Sequence, residues 1–293
     1  MKVTTIIPAY NSEDYIEKSI DSVIDQTDEL IIVDDNSTDN TIGIIEKYRN
    51  DKKARIVAFS RNMGQGYVRN YGAKIAKTPL ILFLDSDQTV EKDWLDKAKK
   101  ALLDDEKIAA IGGYRKTPKR TFSQKLMNIL RIMSFDENPE WISEDATLYR
   151  KNIFLDVGGF NEKLRVGEAF GLCHKMRERG YLFRKIDISV MHLGEPDNFM
   201  ALLKRQWKYG KYGRHEKLPS YMRVLRLLIF ITPLGILASV PLYLHIFQHD
   251  KNLSKDISTL IKLPIGYYLF MFTHQLSFFL NLIGLNKIEE VNM

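Results

Sequence analysis

Two carboxylates close an apolar run near the middle of the first half of the chain. Asp85-Ser86-Asp87 follows Leu80-Ile81-Leu82-Phe83-Leu84. At the end of a strand the turn lets both carboxylates approach one ligand. Hard oxygen ligands of this kind suit magnesium or manganese, and those ions bridge to phosphate oxygens. A diphosphate held there can leave as a metal-neutralised anion. Taken alone, the triplet reads more simply as a solvated turn with an Asp cap.

The elements that must position these residues alternate. Strand-like runs lie at Val3–Ile7, Leu30–Val33, Arg55–Phe59 and Leu80–Leu84. Helical patterns lie at Ser12–Ile24, with Ser12 as N-cap, and at Thr38–Tyr48 and Tyr67–Ala76. Such alternation predicts a parallel α/β sheet covered on both faces. The polar residues fall just after the apolar strands, at the carboxyl edge where open α/β sheets bind ligands. The second half is less regular. Thr117–Phe135 is basic and amphipathic, with Phe122, Leu126, Ile129, Leu130 and Met133 at helical spacing. Its stripe suits a bilayer surface beside the site or packing on the sheet. Gly167–Gly180 is a further helical candidate, and Cys173 within it reads as core.

Composition bounds the class. The chain has 293 residues, 45 % hydrophobic and 27 % charged, which fits a globular protein of one large domain, or one domain with an appendage. The single cysteine excludes an intrachain disulfide. Met1 and Lys2 run straight into the first strand, so no signal peptide is expected. The net charge of +6 is unevenly spread. Lys204 to Arg226 holds eight cationic side chains against Glu216 alone, with Trp207, Tyr209, Tyr212 and Tyr221 interleaved. Beyond it, Leu227–Phe247 carries no acid or base except His245, with Pro233 and Pro241 as kinks. Leu263–Leu285 is broken by His274, Gln275 and Asn281. These runs predict two transmembrane helices, with a buried helical hairpin as the plainer alternative. The expected division is a catalytic domain over 1–200, a basic juxtamembrane segment over 201–226 and a hydrophobic region over 227–293. The cations assign the preceding domain to the cytoplasmic side of a cell membrane and name anionic lipid, not nucleic acid, as the partner.

Four segments together give more than any one alone. Ile6-Ile7-Pro8-Ala9-Tyr10-Asn11, Val33-Asp34-Asp35-Asn36-Ser37-Thr38-Asp39, Arg61 to Gly72 and Asp85-Ser86-Asp87 occur in an order and spacing that resemble the family 2 glycosyltransferases. The resemblance covers about Val3 to His192. It implies the GT-A fold, a Rossmann-like, mostly parallel sheet, and a metal-dependent inverting transfer from a UDP- or GDP-linked sugar. By resemblance, Pro8, Ala9 and Tyr10 line the nucleotide base, and Asp35 accepts a ring N–H from it. Gly64 and Arg69 flank the nucleotide, where an Arg can meet phosphate or base. Asp85 and Ser86 match the ribose side, and Asp87 matches the ligand of a Mn2+ or Mg2+ ion, with Asp85 and His192 as further ligands. Each of these also has a bland reading as a cap, a turn or a hydrogen-bonded structural residue.

One departure bears on mechanism. Val157-Gly158-Gly159-Phe160-Asn161-Glu162 resembles the stretch before the family's catalytic helix, where a Glu-Asp pair normally follows and the Asp is the general base. Here that pair is Glu168-Ala169. Glu168 is the nearest substitute, or a helix N-terminal acid favoured by the dipole. Glu144 and Asp145, before Leu148-Tyr149-Arg150-Lys151, stand on the acceptor side. An alcohol acceptor needs a base, whereas a phosphate acceptor is already ionised. The expected acceptor is therefore a membrane lipid, either a polyprenyl phosphate or a lipid-linked saccharide. A nucleotide-sugar binder without turnover stays open. A sugar nucleotidyltransferase would need a Gly-rich basic loop after the first strand, which Pro8-Ala9-Tyr10-Asn11-Ser12 does not supply.

Overall fold

The structure is a computed structural model that describes residues 1–133, 136–143, 145–164, 167–212, 237, 239–249 and 253–282. It divides into two compact units: Met1–Lys116 with Phe135–Gly194, and Thr117–Ser134 with Glu195–Met293.

The first unit is built on one mixed sheet of eight strands. They are β1 (Val3–Ala9), β2 (Glu29–Asp34), β3 (Ala54–Ala58), β4 (Leu80–Phe83), β5 (Gln88–Val90), β6 (Ile108–Lys116), β7 (Thr147–Arg150) and β8 (Leu182–His192). Their spatial order is β3-β2-β1-β4-β7-β6-β8-β5. All seven residues of β1 are buried, as expected for a strand covered on both faces rather than one. One face packs under α1 (Ile16–Val23), α2 (Thr41–Ile45) and α4 (Trp94–Leu103), the other under α3 (Gln65–Ile75), α6 (Lys151–Asp156) and α7 (Glu168–Glu178). A Cβ on Gly72 would stand 2.5 Å from Ile6 Cγ2, so glycine is what lets α3 lie this close on β1. α1 starts later than its sequence pattern suggests. Ser12 supplies only its carbonyl, which accepts from Tyr15 N and Ile16 N, and not a side-chain cap.

The strands run outward from β1 in both directions, β1-β2-β3 on one side and β4 on the other. The carboxyl ends of β1 and β4 therefore flank a topological switch point, where open α/β sheets bind ligands. The sheet is not wholly parallel. β7 lies antiparallel between β4 and β6, with Phe83 opposite Thr147. That register sets the residues before β7 against the residues after β4. β6 thereby runs parallel to β4, and β8 runs parallel to β6. The ends of β4, β6 and β8 share one edge.

The second unit is helical: α5 (Phe122–Met133), α8 (Phe199–Tyr212), α9 (Val240–His249) and α10 (Ile257–Leu282). Leu126 and Ile129 of α5 are buried with Leu202, Leu242, Ile246, Leu263 and Phe270. Leu126 and Ile129 of the amphipathic Thr117–Phe135 stripe are thus covered by helices from the C-terminal region. Among the described residues no helix is long and apolar enough to cross a membrane. The expected hairpin over 227–293 falls partly outside those residues. Most of the first run, residues 227–236 and 238, lies outside the described residues, as do 213–226 of the basic segment and 283–285 of the second run. The rest of the second run forms α10, where Lys262, His274 and Gln275 interrupt its apolar character and Ser277 Oγ donates to Trp207 O at 2.6 Å.

A buried charge ties this unit together. The Glu195 carboxylate is fully buried and pairs with Arg131 of α5 and Arg205 of α8. Breaking a buried pair from one side leaves uncompensated charge, at a cost of about 3–5 kcal/mol. Glu195→Ala is expected to destabilise the protein by about that amount in chemical denaturation. A loss below about 1 kcal/mol, the scale of an exposed pair, would deny Glu195 this role.

Candidate active site

The two loops after β1 and β2 brace each other. Asp34 folds back on its own turn, accepting from Ser37 N at 3.0 Å and from Ser37 Oγ at 2.5 Å. Ser37 Oγ also accepts from Asn11 N, and Asn11 Oδ1 accepts from Thr38 N. Asn11 and Asn36 hold positive φ, 47° and 66°, a conformation Asn tolerates better than most residues. With Asp34 committed to the turn, Asp35 faces inward. Its carboxylate is buried and accepts from the backbone N–H groups of Met63 at 2.6 Å and Gly64 at 2.8 Å. A carboxylate has about four lone-pair sites, so acceptor capacity remains for one more donor. Gly64 sits at φ 90°, in the left-handed region that glycine adopts without strain. Pro8 and Ala9 are buried strand residues, so the lining of the first loop falls to Tyr10, which is half exposed.

Arg69 is placed differently from expectation. Its side chain is fully buried on α3 and meets no open cleft. Nη2 donates to Asp85 Oδ1 at 2.6 Å, Nη1 lies 3.6 Å from Glu168 Oε1, and the guanidinium stands 5.8 Å from the centre of the Phe160 ring. Glu168 is likewise buried, in the first turn of α7 behind Gly167, and Ala169 beside it belongs to the core. Arg69 therefore joins Asp85 and Glu168 and fixes both carboxylates.

Around Asp85 and Asp87 the charges converge. Gln88 Nε2 donates to Asp145 Oδ1 at 2.9 Å and lies 3.4 Å from Asp85 Oδ2. Arg115 Nη2 is 2.7 Å from Asp145 Oδ2. His192 Nε2 is 3.5 Å from Asp87 Oδ2. A Cβ at Gly194 would fall 2.3 Å from that same oxygen, so a side chain there would displace the Asp87 carboxylate. Burial pushes Asp87 up to about 7, and the charges of Asp85 and Asp145 push in the same direction. Burial also raises Asp85, with the Arg69 guanidinium opposing it. Ser86 sits half-buried between the two aspartates. Glu144 lies outside the described residues. Gln88 and Arg115 are the members that sequence reasoning missed. Gln88 was within reach of local reading, three residues beyond Asp85. Arg115 becomes a neighbour only through the pairing of β6 with β7.

Carboxylates that raise one another in a part-buried site form a donor set short of positive charge, and this suits a hard divalent cation. Among the described residues no three His, Cys, Asp or Glu side chains stand close enough to enclose an ion. A magnesium-like ion needs no such cage, since one or two carboxylates suffice when substrate phosphates and water complete its shell. Asp87, Asp85 and His192 are the residues that fit.

This arrangement of a switch-point acid pair on a mixed α/β sheet is that of a nucleotide-sugar enzyme. Residues 4–161 match the glycosyl transferase family 2 pattern, and the chain belongs to that family. It is 37 % identical over 116 residues to the putative teichuronic acid biosynthesis glycosyltransferase TuaG of Bacillus subtilis, covering 38 % of this chain and 46 % of that one. It is 32 % identical over 184 residues to the poly(ribitol-phosphate) beta-N-acetylglucosaminyltransferase TarS of Staphylococcus aureus, covering 57 % of this chain and 31 % of that one. The chain thus spans less than half the length of either relative. In fold it is similar to the mannosyltransferase PcManGT of Pyrobaculum calidifontis, solved with GDP-Man and Mn2+. That likeness has a TM-score of 0.63 at 15 % identity over 97 % of this chain and 86 % of that one.

The raised Asp87 has a consequence for stability. Between its ordinary value of 3.8 and about 7, the folded state holds a proton that the unfolded state has lost. Metal-free protein should therefore lose stability as pH rises through that window. Asp87→Asn removes the penalty and is expected to raise the Tm in EDTA at pH 8 by about 2–4 °C, the shift made by 1 kcal/mol in a domain of this size. An unchanged or lowered Tm would mean that Asp87 is not under charge strain.

Proposed function

We propose that this protein is an inverting glycosyltransferase that moves a sugar from a UDP- or GDP-linked donor to a membrane lipid acceptor. The observation that carries the reading is the pair Asp85 and Asp87 at the switch point, with Asp35 buried across the cleft. Asp35 keeps acceptor capacity for a ring N–H of uracil or guanine, and Tyr10 offers a partly exposed ring beside it. Asp87, Asp85 and His192 would hold Mn2+ or Mg2+, which neutralises the diphosphate as it departs. Arg69 opposes the effect of burial on Asp85 and fixes its direction.

Support for the membrane comes from the second unit. Val240, Leu244 and Phe247 form an exposed apolar stripe on α9, and Ile257, Ile261 and Ile265 form another on α10. Lys255 and Lys262 are exposed beside the latter. Apolar stripes rimmed by cations suit attachment to an anionic bilayer surface, here the cytoplasmic face. The Glu168 side chain is buried beside Arg69, whereas that of Asp145 keeps some exposure, so Glu168 serves as a positioning group and not as the proton acceptor. A lipid-linked saccharide would give its proton to Asp145, and a polyprenyl phosphate would need no base. The alanine at 169 also favours a binder without turnover as the second reading.

A screen of UDP- and GDP-sugars with manganese separates these readings. One nucleotide class should be hydrolysed or transferred, and Asp87→Ala should abolish manganese-dependent binding of its nucleoside diphosphate. Binding without turnover of any lipid acceptor would leave the second reading, and no binding at all would end both. Glu168→Gln should lower turnover less than about tenfold, whereas a loss of roughly 10²–10⁴ would make it the base after all.

A further inference from the structure

The groups of the site form one chain of contacts across the switch point. Arg69 reaches Asp85 at 2.6 Å on the donor side, and Arg115 reaches Asp145 at 2.7 Å on the other. Gln88 lies between the two acids. Its Nε2 stands 2.9 Å from Asp145 Oδ1 and 3.4 Å from Asp85 Oδ2. An amide nitrogen carries two N–H donors, so each carboxylate can receive one. The residue is fully buried, and its backbone is fixed on both sides. Gln88 N donates to Asp85 O at 3.0 Å and closes the turn that carries Asp87. Gln88 O accepts from Ser19 Oγ of α1, and β5 pairs Gln88 with His192 of β8.

Residue type matters at this place. A glutamate would bring a third carboxylate against two others, and a lysine would cancel charge that a divalent cation is meant to meet. An apolar side chain would leave the two acids to repel one another. A glutamine amide holds them together and adds no charge. Turned over, it would set its carbonyl oxygen against both acids, so their charge fixes its orientation. Oε1 is then left buried, without a hydrogen bond among the described residues. A buried acceptor in that state is costly, and the position keeps it. Asp145 shows constraint from its own side. The next residue, Ala146, holds φ 34°, in the left-handed region that alanine avoids. Local strain of this kind persists where surrounding contacts over-determine it.

We infer that Gln88 is a positioning residue that joins the donor and acceptor halves of the site, holding Asp145 beside Asp85 as a neutral bridge. The inference rests on the glycosyltransferase reading above and concerns transfer to a hydroxyl. In that transfer the hydroxyl oxygen bonds to the anomeric carbon, the bond to the diphosphate oxygen breaks, and the hydroxyl proton passes to Asp145. The contact of Gln88 with Asp145 is the shorter of its two, and Arg69 holds Asp85 in any case. Gln88 therefore acts chiefly on Asp145, and its loss shows in turnover and not in donor affinity.

Donor hydrolysis by water and manganese calorimetry, both on the full chain, test this. With the UDP- or GDP-sugar that the wild type hydrolyses, Gln88→Met should lower kcat about 10–100-fold, the scale of one hydrogen bond to a charged group, and change donor KM less than about threefold. Gln88→Glu keeps the shape, loses the donor and should lose turnover to the same extent. On an Asp145→Asn background Gln88→Met should cost less than about twofold, because the bridge acts through Asp145. Wild-type kcat in a folded Gln88→Met or Gln88→Glu, or full additivity with Asp145→Asn, would overturn the bridge. Calorimetry with Mn2+ alone reports on the charge. Gln88→Glu should bind the ion about tenfold more tightly than wild type, and Gln88→Met should not. Unchanged Mn2+ affinity in Gln88→Glu would put the residue outside the charge of the site and overturn the bridge. Tighter Mn2+ binding in a chain that takes no nucleotide sugar would keep the bridge and remove the donor reading.

Discussion

A single guanidinium joins the parts of the first unit that matter for chemistry. Arg69 leaves α3, passes beneath Phe160 and ends between the carboxylates of Asp85 and Glu168. Those residues come from the end of β4 and the start of α7, so three elements meet on one charge. Removing an ion from water costs several kcal/mol, and only close partners offset it. Arginine suits the task because its fork reaches two acceptors at once, which a lysine cannot do with the same geometry. The acid left facing the cleft, Asp85, is thereby fixed in direction before any ligand arrives.

The insertion of β7 governs the remainder of the site. An antiparallel strand beside β4 carries Asp145 up to the aspartates that follow β4. Like charges are gathered there at the expense of local stability, and the left-handed φ of 34° at Ala146 adds backbone strain in the same turn. Strain and like charge in one place are tolerable where a ligand relieves them. Gly194 and His192, at the end of β8, close the far side of Asp87.

What could be read from the chain without its fold depended on distance along it. The apolar runs of β1, β2 and β4, and the acids that follow β2 and β4, are local patterns, and each fell where its periodicity placed it. The resemblance to family 2 glycosyltransferases added the Asp35, Gly64 and Asp87 positions as one set. The direction of β7 was not legible, since four residues carry no sign of which neighbour they will pair with. For the same reason Arg115 gave no hint of meeting Asp145. The charge of Arg69 suggested phosphate, and its pairing with two acids came only with the fold. The stripe on α5 was visible, but its partners lie more than sixty residues further along the chain, on α8, α9 and α10.

That last separation has a consequence during synthesis. α5 is complete when residue 134 has been added, yet none of the helices that cover its apolar side begins before residue 195. At about 5–20 residues per second, the ribosome needs roughly 3–12 seconds to supply the first of them. The last strand of the first unit ends at His192, so that unit also lacks its final strand for most of the interval. Leu126 and Ile129 therefore wait seconds for their helical partners on a nascent chain whose sheet is itself still being completed. Two incomplete units thus coexist on the nascent chain, and the apolar side of α5 is the last of its parts to be covered.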